Sequence, residues 1–178
     1  MDDAKKYSII SVCSFCVAII FCAIYNQWIL FRIPWSTNEM VHSVIQKKHV
    51  VHHYFHADKW KTEKQEILWH DTTEKNIFHL LNAWLVLLDE ERITPKKTTV
   101  QSVLISGSGT AYLSFDHNIL AKEEIIFKKW MVMEGLLKTI ASNDIPITHV
   151  QFLVQHSIVR DAHLDFSLAW PVQGFIKN

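Results

Sequence analysis

From residue 48 onward the apolar positions change period along the chain, and each period predicts an element. "KHVVHHYFHA" at 48–57 and "KQEILWH" at 64–70 are β-like. "DTTEKNIFHLLNAWLVLLDEER" then brings Ile77, Leu81, Trp84, Leu85 and Leu88 round at helical intervals. Asp71 and Glu74 stand at capping-box spacing ahead of that stripe, and Thr94-Pro95 stops it. Val103 and Ile105 alternate, as do Ala111, Leu113 and Phe115, at the period of two that half-buried strands require. A second stripe, Ile126, Trp130, Met133, Leu137 and Ile140, predicts a helix over about 122–142, ended by Asn143-Asp-Ile-Pro146. "THVQFLVQ" and "AHLDFSLAW" predict two last strands. The order is ββ-α-ββ-α-ββ, one α+β domain of mainly antiparallel sheet with two helices.

Ahead of this domain the pattern is of another kind. Tyr7 to Tyr25, "YSIISVCSFCVAIIFCAIY", holds no charged residue. As a helix, nineteen residues reach roughly 28 Å, close to the hydrocarbon thickness of a bilayer. The expectation is a transmembrane anchor over 7–31, with residues 1–6 cytoplasmic because Lys5 and Lys6 flank the run and the next basic residue is Arg32. A cleavable signal peptide is the alternative, but its apolar region is shorter and Phe21 spoils a small-x-small site before Ala23. None of the cysteines follows the small residues that lipoprotein processing needs. Residues 32–47 form a connector, either irregular or a short helix opened by Ser36 and Glu39 with Met40, Val41, Val44 and Ile45 as its stripe. The domain then runs over 48–178.

Composition narrows the function classes. Lys+Arg and Asp+Glu both number 18, and the first 33 residues remove three basic and two acidic ones. The remainder stays close to neutral, which disfavours nucleic acid as a partner. Cys13, Cys16 and Cys22 all lie in the first apolar run, so the domain has no disulfide. Cys13-Ser-Phe-Cys16 has redox spacing, yet inside lipid these thiols act as small apolar residues.

Gly107-Ser-Gly109 poses a choice between a phosphate-cradling loop and a hairpin tip. A phosphate loop leads into a helix N-terminus, whereas here Thr110 opens an alternating strand, so a hairpin turn is expected. The chain has no H-E-x-x-H, G-x-S-x-G or Walker-type loop. Two patterns carry candidate metal ligands. On a strand, His49 and His53 share one face and His52 and His56 the other, so two imidazoles can ligate a metal only with help from other segments. Asp161, His163 and Asp165 alternate with Ala162, Leu164 and Phe166, which places a carboxylate–imidazole–carboxylate row on one strand face. Both patterns equally describe the polar side of an amphipathic strand. No catalytic residue, cofactor or bound metal is therefore assigned. Among the tryptophans, Trp84 and Trp130 sit on helix stripes and read as core, while Trp60 and Trp170 are less constrained.

Four stretches together resemble the GerMN domain of bacterial spore-germination and sporulation envelope proteins and of some bacterial lipoproteins. They are "VVHHYFHAD", "SVLISGSGTAYLSFD", "MEGLLKTIASNDIPITHVQFLVQ" and "AHLDFSLAWPV", in that order over roughly 48–173. The family commonly has an acidic-Gly turn after the Val-Gln-Phe-Leu-Val strand, where this chain has Gln155-His-Ser157, and some relatives carry two copies of the domain where this chain has one. The resemblance implies a non-enzymatic α+β module of the bacterial envelope, with no catalytic residues to carry over. With the anchor, it leads to a single-pass protein of the cytoplasmic membrane, its domain extracytoplasmic, contacting other envelope proteins or cell-wall material. A rival reading is an envelope metal-binding protein or hydrolase using His49, His53, Asp161, His163 and Asp165. A third is a subunit that self-associates.

Overall fold

The polypeptide is seen in a computed structural model that describes residues 45–174. The expected membrane segment, the cytoplasmic N-terminus and residues 32–44 of the connector lie outside the described residues, as do 175–178. Among the described residues no helix is long and apolar enough to cross a membrane.

Strand β1 (Gln46–His56) pairs antiparallel with β2 (Lys59–Trp69) along its whole length, from Gln46↔Trp69 to His56↔Lys59. Ala57 and Asp58 make the turn, with φ of 50° and 58°. These values mark the primed two-residue turn whose twist suits a hairpin, where Asn-Gly is the usual occupant. Helix α1 (Thr73–Glu90) follows, and all five members of its expected stripe are buried. Its start differs from expectation. Thr72, not Asp71, is the N-cap and makes no side-chain cap. Asn76 clamps the entry instead, accepting from the His70 N–H (2.6 Å) and donating to the His70 carbonyl (2.8 Å).

A second sheet is built from β3 (Val100–Ile105), β4 (Thr110–Phe115), β5 (His149–Val154), β6 (Ser157–Ile158) and β7 (Trp170–Pro171). Its order is β3-β4-β5, with β6 and β7 both pairing with β5. The expected turn at Ser106–Gly109 is present: the Gly109 N–H donates to the Ser106 carbonyl (3.0 Å), and Gly109 has φ 81°. β4 and β5 run parallel, Thr110↔His149 to Phe115↔Val154, so α2 (Ile126–Ala141) is their crossover connection. The remaining pairs are antiparallel. Val50 and Tyr54 of β1, both helices, and Leu113, Phe115 and Phe152 of the second sheet share one core.

Two expectations are corrected here. α2 starts at Ile126 rather than near 122, because the Lys122 carbonyl accepts from the Lys129 ammonium (3.0 Å) instead of closing a helical turn. "AHLDFSLAW" is not a strand; only Trp170–Pro171 pairs. Asp161 Oδ1 accepts from the backbone N–H of His163 (2.9 Å) and Leu164 (3.2 Å), and Asp165 Oδ1 from that of Ser167 (2.8 Å). Such side-chain bonds to the nearby backbone bend the chain and compete with a ladder. Leu164 and Phe166 still reach the core, whereas Leu168 does not.

Candidate functional site

The predicted polar row on 161–165 is taken apart by these turns. Asp161 is pulled inward, where Oδ2 meets the Lys129 ammonium at 2.7 Å, with the two side chains 4% and 1% exposed. Burial works to raise the Asp161 pKa, but hydrogen bonds from Lys129, His163 and Leu164 and the lysine's charge outweigh it and hold the carboxyl below its ordinary value. His163 stays exposed, with Nδ1 3.8 Å from Asp161 Oδ1. Asp165 is exposed and engaged with Ser167. Asp161 is thus a fold residue that ties a loop to α2.

On β1, His49 is exposed, opposite Glu66. His53 is half-buried against α2, with Nε2 2.9 Å from Ser142 Oγ and Nδ1 3.2 Å from Thr62 Oγ1. Burial, aided by the Lys138 charge, lowers its pKa. His52, read from the alternation as an outward polar residue, is fully buried between Val50 and Tyr54 on the core face, and burial lowers its pKa to about 4. Neither ring nitrogen of His52 makes a well-formed hydrogen bond among the described residues, and the nearby Gln65 side chain offsets only part of the burial effect. Among the described residues no three His, Cys, Asp or Glu side chains converge as a metal site would need.

The free edge of β1 is closed by side chains. Asn143 accepts from the Val51 N–H (3.0 Å) and donates to the Val51 carbonyl (2.8 Å). Thr139 Oγ1 accepts from the His53 N–H (2.9 Å), and Trp84 Nε1 donates to the His53 carbonyl (2.8 Å). Gly135 is what lets α2 lie so close: a Cβ there would stand 2.9 Å from the His53 carbonyl oxygen. This edge is therefore unavailable to a partner strand.

At the other end of α2 the picture reverses. A cleft of about 420 Å3 opens between the β1–β2 turn, the end of α1, the loop 119–124 and the first turns of α2. Ile93, Ile119, Leu120, Met131 and Val132 give it apolar walls, and Asp58, Arg92, Glu124, Lys128 and the Asp161-paired Lys129 are its charged members. Lys128 pairs with Glu124 at 3.4 Å, while the side chains of Arg92 and Asp58 have no partner among the described residues. Beside it, Ile125, Ile126 and Phe127 are 59%, 52% and 52% exposed, and Phe127 packs edge-on against Phe55 of the cleft wall. Ile126, the first member of the expected apolar stripe, thus faces outward.

The backbone is unusual at the same place. Among the described residues six non-glycine residues have left-handed φ, and Ala57, Asp58 and Arg92 line this cleft. Arg92 (φ 55°) follows the C-cap of α1, where its N–H donates to the Asp89 carbonyl and that of Ile93 to Leu88. This closing position usually takes glycine. Sequence reading missed the cleft because its walls come from four separated segments; the one local signal was "EEIIFKK", three bulky apolar residues between charges.

A more open hollow of about 680 Å3 is formed by residues of the 158–167 loop alone.

No family model matches the chain, and no curated protein matches it. Among solved structures it is similar to a Clostridium perfringens protein named as a lipoprotein, at 20% identity and a TM-score of 0.48, over 74% of this chain and 92% of that one. It is also similar to the tandem GerMN domains of the sporulation protein GerM from Bacillus subtilis, at 10% identity and a TM-score of 0.45, over 76% of this chain and 48% of that one.

Proposed function

We propose that this chain is a membrane-anchored, GerMN-like module of the bacterial envelope, its domain extracytoplasmic, which makes protein–protein or cell-wall contacts and catalyses nothing. One observation carries the reading. Of the ionisable residues that suggested chemistry, Asp161 and His53 are held by the fold, and His49, His163 and Asp165 are exposed without forming a ligand cluster among the described residues. By contrast, three consecutive exposed apolar side chains flank an open cleft. Asp161 neutralises Lys129, and His53 lies between Ser142 and Thr62. Ile125, Ile126 and Phe127 are three consecutive bulky apolar residues that face solvent beside the cleft. Exposed bulky apolar residues in contiguous array are a feature of interaction surfaces. The order of the four GerMN-like stretches and the uncharged Tyr7–Tyr25 run supply the envelope part of the reading.

The test is topological. An epitope fused after Asn178 should be digested by protease added to intact spheroplasts and be lost from the membrane fraction together with the domain. An epitope that stays protected until the membrane is broken would refute the extracytoplasmic placement.

A further inference from the structure

We infer that the cleft between the β1–β2 turn and the start of α2 is the docking site for a polypeptide partner. The partner inserts one bulky apolar side chain, with a carboxylate beside it for Arg92. This deepens the contact-module reading and rests on it.

Three independent observations meet at this place. Its walls are apolar and its volume, about 420 Å3, lies in the range of sites that enclose a small group. Arg92 and Asp58 stand at it without partners among the described residues, so a charge of each sign is available to a ligand. A guanidinium offers two parallel donors to a carboxylate, which suits it to recognition more than to simple solvation. Third, Arg92 keeps a left-handed φ of 55° at a helix-closing position that glycine usually takes, whereas the left-handed φ of Ala57 and Asp58 belongs to the hairpin turn. Residues kept in such conformations where glycine would relax them cluster at ligand clamps and active sites.

The charges choose the occupant. A single-headed amphiphile brings one charge, and a neutral glycan brings none. A polypeptide brings an apolar anchor together with flanking charges of both signs, matching Arg92 and Asp58. The anchor finds an aromatic and aliphatic surround in Phe55, Met131 and Val132, with Phe127 at the lip, as a peptide hot spot requires.

The full chain, purified in detergent micelles, is screened with a phage-displayed random dodecapeptide library. Two variants are screened beside it: Val132→Trp, which fills the cleft, and Arg92→Gly, which removes the guanidinium and relaxes the backbone. Enriched peptides should carry an aromatic or branched aliphatic residue next to Asp or Glu. Synthetic copies should bind the unaltered chain about tenfold or more tighter than either variant, while Arg92→Gly melts no lower than the unaltered chain. Failure to enrich any peptide, or copies that bind both variants as well as the unaltered chain, would overturn the inference. So would saturable binding of laurate or chitotetraose that Val132→Trp abolishes in the absence of any peptide binder. A misplaced epitope in the spheroplast assay would refute the envelope topology without changing peptide binding, so the two failures are distinguishable.

Discussion

The two ends of α2 handle their polar and apolar groups in opposite ways. Toward the C-terminus, Gly135 lets α2 close on β1, and Thr139 and Asn143 give its edge N–H groups and the Val51 carbonyl partners at hydrogen-bond distance. At the N-terminal end Ile125 to Phe127 face solvent, and Arg92 and Asp58 go unpaired among the described residues. The difference teaches where stability and where interaction reside. A closed seam fixes the fold, and the open end keeps groups that a partner can use.

The largest expected effect comes from the buried Lys129–Asp161 ion pair in the first turn of α2. Lys129→Met leaves the Asp161 carboxylate buried and uncompensated, and should cost about 3–5 kcal/mol in urea unfolding of the full chain. Pairing it with Asp161→Leu should restore much of that loss, since neither buried charge then remains. Next is the seam. Asn143→Leu strips the Val51 N–H and carbonyl of their partners while keeping volume, at a cost of about 2–4 kcal/mol. An effect below about 0.5 kcal/mol there, typical of surface sites, would mean that the seam is not what closes the edge.

A pH titration sharpens the comparison further. His52 has a folded pKa near 4, below the ordinary 6.5, because burial disfavours its charged form. The unfolded chain therefore binds a proton that the folded chain refuses as pH falls from about 6.5 toward 4. Stability is complete above that window and drops across it by at most about 3 kcal/mol. In His52→Leu this portion of the acid loss should vanish, read as a flatter dependence of the urea midpoint on pH. The Asp161 carboxyl, held below its ordinary value, loses its share only at lower pH still.

Much of the architecture was legible in the sequence because it rests on periods. Ile77 to Leu88 and Met133 to Ile140 repeat at helical spacing and are buried as expected, and Gly107-Ser-Gly109 is the hairpin tip. The last predicted strand failed for a physical reason. Asp161 and Asp165 alternate correctly for a strand, but their carboxylates capture nearby backbone amides, and alternation does not reveal that competition. His52 defeated the polar-out assumption because an uncharged imidazole can occupy a core position. Lys129 reads as a surface lysine in "FKKW" until Asp161, 32 residues away in the chain, is seen beside it. The cleft itself was illegible, since its walls join residues from Phe55 to Val132 and its hairpin turn, Ala57-Asp58, has no glycine to announce it.

The central claim is that Arg92 is kept at the cleft in a backbone conformation that a non-glycine residue disfavours, and Arg92→Gly tests it most directly. Relieving a left-handed non-glycine residue should raise the unfolding free energy of the full chain in urea by about 1 kcal/mol. A fall in stability would contradict the account, because it would mean that the guanidinium holds the fold together and is not free for a partner.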